Sequence, residues 1–167
     1  FEAWVEVQHE AAKRLGILAH VHHNEPKVRF INGKLQFAEK SVADYTVVLC
    51  GEGARTLAVE TKSTSAARFA RSEVTAKQQE HLQAVVGESG LALLVLEFRA
   101  ESARHRFAIP WGVVPWETRR SAEAVYLEEL IASRYGWRVH PTCYLSKWHE
   151  GGPVRAVQQQ RRRYPTE

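Results

Sequence analysis

A nearly continuous apolar run, LALLVLEF at residues 91–98, is the feature that most restricts how this chain can fold. The run lacks polar alternation, so a strand formed from it cannot leave one side facing water. It is also much shorter than the roughly 20 residues that an apolar helix needs to cross a bilayer. The run therefore predicts a central strand that is buried on both faces of a sheet, with residues 106–109 as its neighbour.

Three segments have the signatures of helices that would cover such a sheet. Residues 1–15 carry apolar side chains on one side and charged ones on another, which is the pattern of an amphipathic helix. Thr75 and Gln78 form a capping box at the start of a second helix, and residues 121–135 predict a third. Helices and strands follow one another in an order that predicts an α/β fold, a central mixed β-sheet flanked by α-helices.

Strand signals fill most of the remaining chain before residue 110. In chain order they are residues 17–23, the hairpin KVRFINGKLQF at 27–37, and two strands at 45–49 and 56–62 joined by the turn GEGA. In the first hairpin, Asn32 and Gly33 are the pair preferred in a two-residue type I′ turn. That turn sets a register in which Phe30 lies opposite Leu35.

The size and composition fit one domain followed by a basic tail. The chain has 167 residues, of which 44% are hydrophobic, and a formal net charge of +4, which suits a polyanionic partner. We expect a single domain over residues 1–150 and a basic tail over residues 151–167.

The two cysteines have neither metal-ligand nor disulfide spacing, and no membrane span or signal peptide is evident. The chain is therefore expected to be soluble and cytoplasmic, with its native start upstream of residue 1 because methionine is absent.

Asp44 is the only aspartate in the chain, and it stands sixteen positions before Glu60. Because side chains alternate along a strand, Glu60 and Lys62 project from the same face about 7 Å apart. If the hairpin brings Asp44 beside them, two carboxylates converge, and such oxygen ligands suit Mg²⁺ or Mn²⁺. Lys62 would then position a water for attack on a phosphodiester. The other interpretation of this pattern is a surface ion pair between Glu60 and Lys62.

Several sequence blocks, in order from residue 1 to about residue 114, resemble those of the RecU-type Holliday junction resolvases. These are FEAWVEVQHEAAKRLGILAHVHHNEP, ADYT with VETKST, KQQEHL, and SGLALLVLEF followed by RFAIPW. The family is a branch of the PD-(D/E)xK nuclease superfamily and has the restriction-endonuclease-like fold. The resemblance implies that residues 1–150 form a nuclease domain. It also implies a Mg²⁺-dependent homodimer that resolves four-way DNA junctions by paired symmetric nicks, leaving 5′-phosphates.

The resemblance also implies roles for individual residues. Metal ligands would be Asp44, Glu60 and the carbonyl of Thr61, and the catalytic group would be completed by Lys62, Gln78 and Glu2. Candidate DNA contacts are Thr64 after the core motif, Arg29 and Lys34 of the first hairpin, and Arg161, Arg162 and Arg163 of the tail. Structural alternatives stay open for four of these groups, namely a helix cap for Gln78, a solvated helix face for Glu2, an exposed loop for Thr64 and a solvated end for the tail.

The chain departs from the family pattern in one place. The family has a long stalk between its first strand and the catalytic aspartate, and here that interval holds only the short hairpin and the segment AEKSVA. How a junction would be held is therefore open. Two alternatives also remain for function: another nuclease of the superfamily that acts on duplex or DNA ends, and a DNA-binding module without catalysis.

Two further motifs are assigned no catalytic role. In HVHH, strand alternation places His20 and His22 on one face and His23 on the other, and no carboxylate at ligand spacing accompanies them. A transition-metal site is therefore not predicted. Trp111 and Trp116 are expected to be core or interface anchors.

Overall fold

A computed structural model of the protein describes residues 1–24, 27–31, 34–39, 42–50, 55–88, 90–101, 103–119, 122–133, 139 and 143–145, with the backbone alone at 27–31, 34–39, 55, 118 and 119. The helices are α1 Glu2–Arg14, α2 Ala76–Gly87 and α3 Leu127–Ala132. The strands are β1 Leu18–His23, β2 Lys27–Ile31, β3 Lys34–Glu39, β4 Tyr45–Leu49, β5 Arg55–Thr64, β6 Arg68–Ala70, β7 Leu91–Arg99, β8 Arg104–Pro110, β9 Glu117–Arg119 and β10 Ala122–Tyr126. None of the described helices is long and apolar enough to span a membrane.

The main sheet has five strands in the order β1-β4-β5-β7-β8. Its pairs are antiparallel except for β5 and β7, which run parallel. The connection between these two strands contains α2, as a parallel pair requires a crossover. Residues 92–98 of β7 are all buried, which confirms the predicted central strand. The fold is therefore a mixed central sheet with flanking helices, as the sequence predicted.

Each face of this sheet has its own hydrophobic core, and successive side chains along a strand alternate between the two faces. On the α1 face, Val5 and Ala12 of the helix lie in one cluster with Tyr45, Val47, Leu57, Val59, Leu93 and Val95. On the α2 face, Leu82 of the helix lies in a second cluster with Ala58, Leu94, Leu96, Phe107 and Ile109. The strict alternation along β5 means that a side chain on this strand belongs to one face or the other.

The first hairpin has the predicted register, because Phe30 lies opposite Leu35 in the β2–β3 pair. The turn residues Asn32 and Gly33, the segment GEGA and the basic tail lie outside the described residues. The side chains of the hairpin strands also lie outside the described residues. The hairpin therefore stays a confirmed backbone element without side-chain detail.

The helix predicted over residues 121–135 is wrong over residues 122–126. Residues 122–126 form β10, which pairs antiparallel with β6 on one side and with β9 on the other. Helix α3 then occupies only Leu127–Ala132. Val125 lies opposite Phe69, and both are fully buried, so tertiary pairing overrides the local preference for helix.

His9 lies inside the α1 face, where its ring is largely removed from water. Its Nε2 is 2.7 Å from the Tyr144 hydroxyl, and its ring contacts Tyr45 edge-on. Burial, aided by the positive charge of Lys13, lowers the pKa of His9 from 6.5 to about 4. The folded state thus binds fewer protons than the unfolded state between these values, and stability that is complete above pH 6.5 is lost as the pH falls towards 4.

Replacing His9 is expected to remove part of the acid sensitivity of the fold. Wild type should lose about 2 kcal/mol more free energy of unfolding between pH 7 and pH 4.5 than His9→Gln does, given about 1.4 kcal/mol for each pKa unit. Urea unfolding at the two pH values measures the difference. The exposed His20 supplies the control, since His20→Gln should keep the wild-type dependence. Equal losses in wild type and His9→Gln would contradict the expectation.

Candidate active site

The structure brings Asp44, Glu60 and Lys62 together at one end of the β4–β5 pair. Tyr45 lies opposite Val59, so Asp44 comes just before the strand and next to Glu60. Its Oδ2 accepts hydrogen bonds from the Thr61 backbone N–H at 2.7 Å and from the Thr61 hydroxyl at 2.6 Å. These two bonds fix one carboxylate oxygen of Asp44 against the strand that carries the other residues.

Glu60 is fully buried, although its side chain is ionisable. Its Oε1 lies 2.6 Å from the Lys62 ammonium and accepts a hydrogen bond of 2.6 Å from Gln78 Nε2. The other oxygen, Oε2, is buried and has no hydrogen-bond partner within the described part of the chain. The interpretation of Glu60 and Lys62 as a solvated surface pair is therefore wrong, because one member is buried.

Burial raises the pKa of Glu60 from 4.5 to about 7, and the negative charge of Asp44 adds to the increase, while Lys62 opposes it. Two neighbouring carboxylates with one ammonium leave a deficit of positive charge. A buried carboxylate oxygen without a partner is the kind of group that a divalent cation satisfies. The described residues contain no group of three or more His, Cys, Asp or Glu side chains close enough to hold a metal. Asp44 and Glu60 are two carboxylates, and with the backbone carbonyl of Thr61 beside them they supply the oxygen donors that such an ion takes.

Gln78 makes both of the contacts that the sequence left as alternatives. Its backbone N–H donates to the Thr75 hydroxyl oxygen, and its Oε1 accepts from the Thr75 backbone N–H at 3.0 Å, which completes the capping box. Its Nε2 donates to Glu60. The first turn of α2 therefore holds Gln78 while Gln78 holds Glu60, and the helix cap orients a side chain of the site.

Glu2 lies near the same strand but on its other face. Together with Phe1, Ala3, Thr61 and Ser63 it lines an open cavity of about 380 Å³. Thr61 and Ser63 point to the α1 face, whereas Glu60 and Lys62 point to the α2 face. Glu2 therefore approaches the backbone of the site from behind, in agreement with the expected proximity of the first helix, although its catalytic role stays a prediction.

Among the candidate DNA contacts, only Thr64 has a described side chain. Thr64 is the last residue of β5 and is half-buried, and its hydroxyl accepts a hydrogen bond of 3.1 Å from the Ala66 backbone N–H. It thus stabilises a turn. The side chains of Arg29 and Lys34, and all of Arg161, Arg162 and Arg163, lie outside the described residues, so their roles stay predictions.

Asn24, which was not predicted from the sequence, continues the β1–β4 pairing to Asp44. Its backbone N–H donates to the Asp44 carbonyl at 2.8 Å. Its side-chain amide donates to the Ala43 carbonyl and to the Thr46 hydroxyl, both at 3.1 Å. Asn24 therefore contacts residues on both sides of Asp44. The sequence held a signal for its importance, because asparagine is scarce, with only Asn24 and Asn32 in the chain.

A buried ion pair behind the site was missed as well. Glu97 is fully buried in β7, and its Oε2 accepts a hydrogen bond of 2.7 Å from Arg106 in β8. The Arg106 guanidinium lies 4.4 Å from the ring centroid of Trp4. This contact ties the first turn of α1, which carries Glu2, to the sheet. The signal in the sequence was one glutamate inside the apolar run with an arginine on the neighbouring strand.

The sequence of this chain matches a known protein family. The chain matches the description "Recombination protein U" (RecU) over residues 13–133, a range that includes β1 to β10 and the four residues Asp44, Glu60, Lys62 and Gln78. No curated protein sequence matches it significantly. Among solved structures it is similar to Hjc from Archaeoglobus fulgidus, a Holliday junction resolvase from an archaeal hyperthermophile, with 18% identity and a TM-score of 0.34. The similarity covers 52% of this chain and 62% of Hjc, less than two thirds of that protein. On the match over residues 13–133, the chain belongs to the RecU family.

Proposed function

We propose that this protein is a metal-dependent endodeoxyribonuclease that resolves four-way DNA junctions. Membership of the RecU family supports the substrate class. The observation that carries the proposal is the fully buried Glu60, with one oxygen unpartnered within the described residues, beside Asp44 and Lys62. A structural ion pair does not need a second carboxylate at this position, whereas one or two carboxylates are the usual protein ligands of Mg²⁺.

Asp44 and Glu60 would hold Mg²⁺, or Mn²⁺ in its place, with the Thr61 carbonyl as a third ligand. When bound, the ion would polarise a phosphoryl oxygen and lower the pKa of a water molecule. The protein supplies the orientation. Thr61 holds one oxygen of Asp44 through two hydrogen bonds, and Gln78 holds one oxygen of Glu60.

We assign two roles to Lys62, which are to position the attacking water and to stabilise the negative charge that develops in the transition state. Its ammonium is partly exposed, with 24% of the side chain accessible, while the carboxylate beside it is buried. It can therefore reach a solvent-side water while remaining next to Glu60. An ammonium there opposes the negative charge that grows on phosphorus in the transition state. Gln78 is a positioning residue, because it acts through Glu60.

The experiment that tests this function compares a labelled four-way junction with a linear duplex of the same arm sequence, with and without Mg²⁺. We expect the junction to be cut at symmetric positions in Mg²⁺ and both DNAs to survive in EDTA. Equal cutting of the two DNAs would favour a general nuclease acting on duplex or ends. Binding without cutting of either would favour a DNA-binding module.

Resolution of a junction requires two nicks, and one site cuts one strand at a time. A four-way junction has approximate two-fold symmetry, so an isologous homodimer places two sites on opposed strands. The candidate interface expected from the sequence is the set of apolar residues Val28, Phe30, Leu35 and Phe37 in the β2–β3 hairpin. The alternative candidate, the Trp111/Trp116 segment, is less suitable because Trp111 is 4% exposed and belongs to the core cluster on the α2 face, against which the half-buried Trp116 packs.

A mixed dimer makes the requirement measurable. A dimer with one wild-type subunit and one Lys62→Ala subunit, isolated by two different affinity tags, should nick a cruciform plasmid, whereas the wild-type dimer should linearise it by paired cuts. Gel separation of nicked and linear plasmid gives the readout. A wild-type protein that stays monomeric at micromolar concentration would contradict the paired mechanism.

A further inference from the structure

We propose that an exposed part of the α2 face is the surface along which the phosphodiester backbone of the DNA substrate lies as it enters the site. We call this surface the histidine strip, and it consists of His20 and His22 in β1, Thr46 and Val48 in β4, and Thr56 in β5. The inference rests on the proposed function and adds the location of a DNA contact. It gives a role to the motif HVHH, which the catalytic residues leave unexplained.

The strand register puts these side chains on one face. His22 lies opposite Thr46, and His20 lies opposite Val48. Across the next pair, Val48 lies opposite Thr56. Residues directly opposite each other in an antiparallel pair share a face, and the intervening Val47 is fully buried in the α1 core. The five side chains therefore project together from the α2 face.

This part of the α2 face is open. His20, His22 and Thr56 are exposed, and Thr46 and Val48 are half-buried. The same face is closed over β7, where Leu94 and Leu96 are fully buried in the cluster that contains Leu82 of α2. Helix α2 thus covers the side of the sheet near β7 and leaves the side near β1 accessible.

The strip continues directly into the active site. One row further along the strands, Asn24 is bonded to Asp44, and Asp44 is next to Glu60. Consecutive rows on one face are about 7 Å apart, which is close to the distance between successive phosphates along a DNA strand. A backbone that follows β1 and β4 over the strip is therefore led to Asp44 and Glu60, with Lys62 on the same face beyond them.

The chemistry of the strip fits a phosphate backbone better than other occupants. Imidazole N–H groups and threonine hydroxyls donate hydrogen bonds, and hydroxyl groups are common contacts to phosphate and sugar. The strip contains no carboxylate, and Val48 is its one apolar residue, so it does not form the apolar patch that a protein partner would bury. It also does not belong to any metal-binding group among the described residues.

The test introduces negative charge into the strip and, as a matched control, on the opposite side of the sheet. His20→Glu/His22→Glu adds two carboxylates to the strip. Val7→Glu/Leu15→Glu adds two at exposed positions of α1, where these side chains are 64% and 60% accessible. Binding of a fluorescein-labelled four-way junction and of a duplex is measured by anisotropy in Ca²⁺, which we expect to support binding without turnover.

The strip variant should bind both DNAs at least tenfold more weakly than the control variant at equal salt. A milder His20→Gln/His22→Gln variant should lie between wild type and the glutamate variant. Circular dichroism confirms that each protein is folded. Equal affinities for the strip and control variants would overturn the proposal.

A second readout needs no substitution. In the NMR spectrum of the wild-type protein, the ring signals of His20 and His22 should shift when the duplex is added, while those of the buried His9 should not. Unmoved signals of both strip histidines on a protein that binds DNA would overturn the proposal. Junction cleavage by the wild-type protein is measured separately. If the strip proposal fails, the proposed nuclease function can still hold. A protein that binds no DNA at all would contradict both proposals.

Discussion

Lys62→Ala is expected to lower the rate of junction cleavage by about 10²- to 10³-fold while DNA affinity changes little. The reason is that this ammonium opposes charge that develops in the transition state, and such groups raise the rate more than they raise ground-state affinity. Single-turnover cleavage and anisotropy binding, measured on the same preparation in Mg²⁺ and in Ca²⁺ respectively, separate the two effects.

The matched control for this variant is Lys77→Ala. Lys77 is exposed on α2 next to Gln78, so the substitution removes the same charge near the site without removing a contact to Glu60. It should retain cleavage close to wild type. Near wild-type cleavage by Lys62→Ala would remove this lysine from the mechanism. Equal losses in both variants would mean that general positive charge, and not the position of Lys62, determines the rate.

The core of the site was predictable because it depends on local rules. Alternation along β5 sets Glu60 and Lys62 on one face, and the antiparallel pairing of β4 with β5 places Asp44 beside them. The capping box of Thr75 and Gln78 was likewise visible as a local pattern. What the local pattern could not reveal is that the same glutamine reaches Glu60, because that contact depends on how α2 packs after crossing from β5 to β7.

The errors and omissions have the same physical origin. Strand β10 was predicted as helix because its partner β6, Arg68–Ala70, has only three residues and gives no periodic signal of its own. Asn24 was missed because its importance comes from pairing with the residue that precedes β4. The ion pair of Glu97 with Arg106 depends on the register between β7 and β8. Each case requires a neighbour that is distant in the sequence, and hydrophobic periodicity carries no information about it.

Removing either carboxylate is expected to abolish cleavage and also the stabilisation of the protein by Mg²⁺. For wild type, Mg²⁺ at a hundred times its Kd should add about 2.7 kcal/mol to the free energy of unfolding, which corresponds to a rise in Tm of roughly 5–10 °C for a chain of this size. Asp44→Asn should lose this rise while keeping an oxygen that accepts the hydrogen bonds from Thr61. Glu60→Gln should also lose the rise in Tm. Thermal unfolding of each protein in EDTA and in Mg²⁺ measures the effect.

Glu97→Gln is the control that separates loss of a metal ligand from loss of a buried charge. Glu97 is as fully buried as Glu60 and lies on the adjacent strand, but its partners are Arg106 and Arg104. Breaking that pair should lower Tm, since the half-buried Arg106 loses its counter-charge, yet the increment on adding Mg²⁺ should remain. If Asp44→Asn or Glu60→Gln kept the full Mg²⁺ increment, the cation would bind elsewhere. The unpartnered oxygen of Glu60 would then need a different explanation, such as a proton retained near neutral pH by burial and by the charge of Asp44.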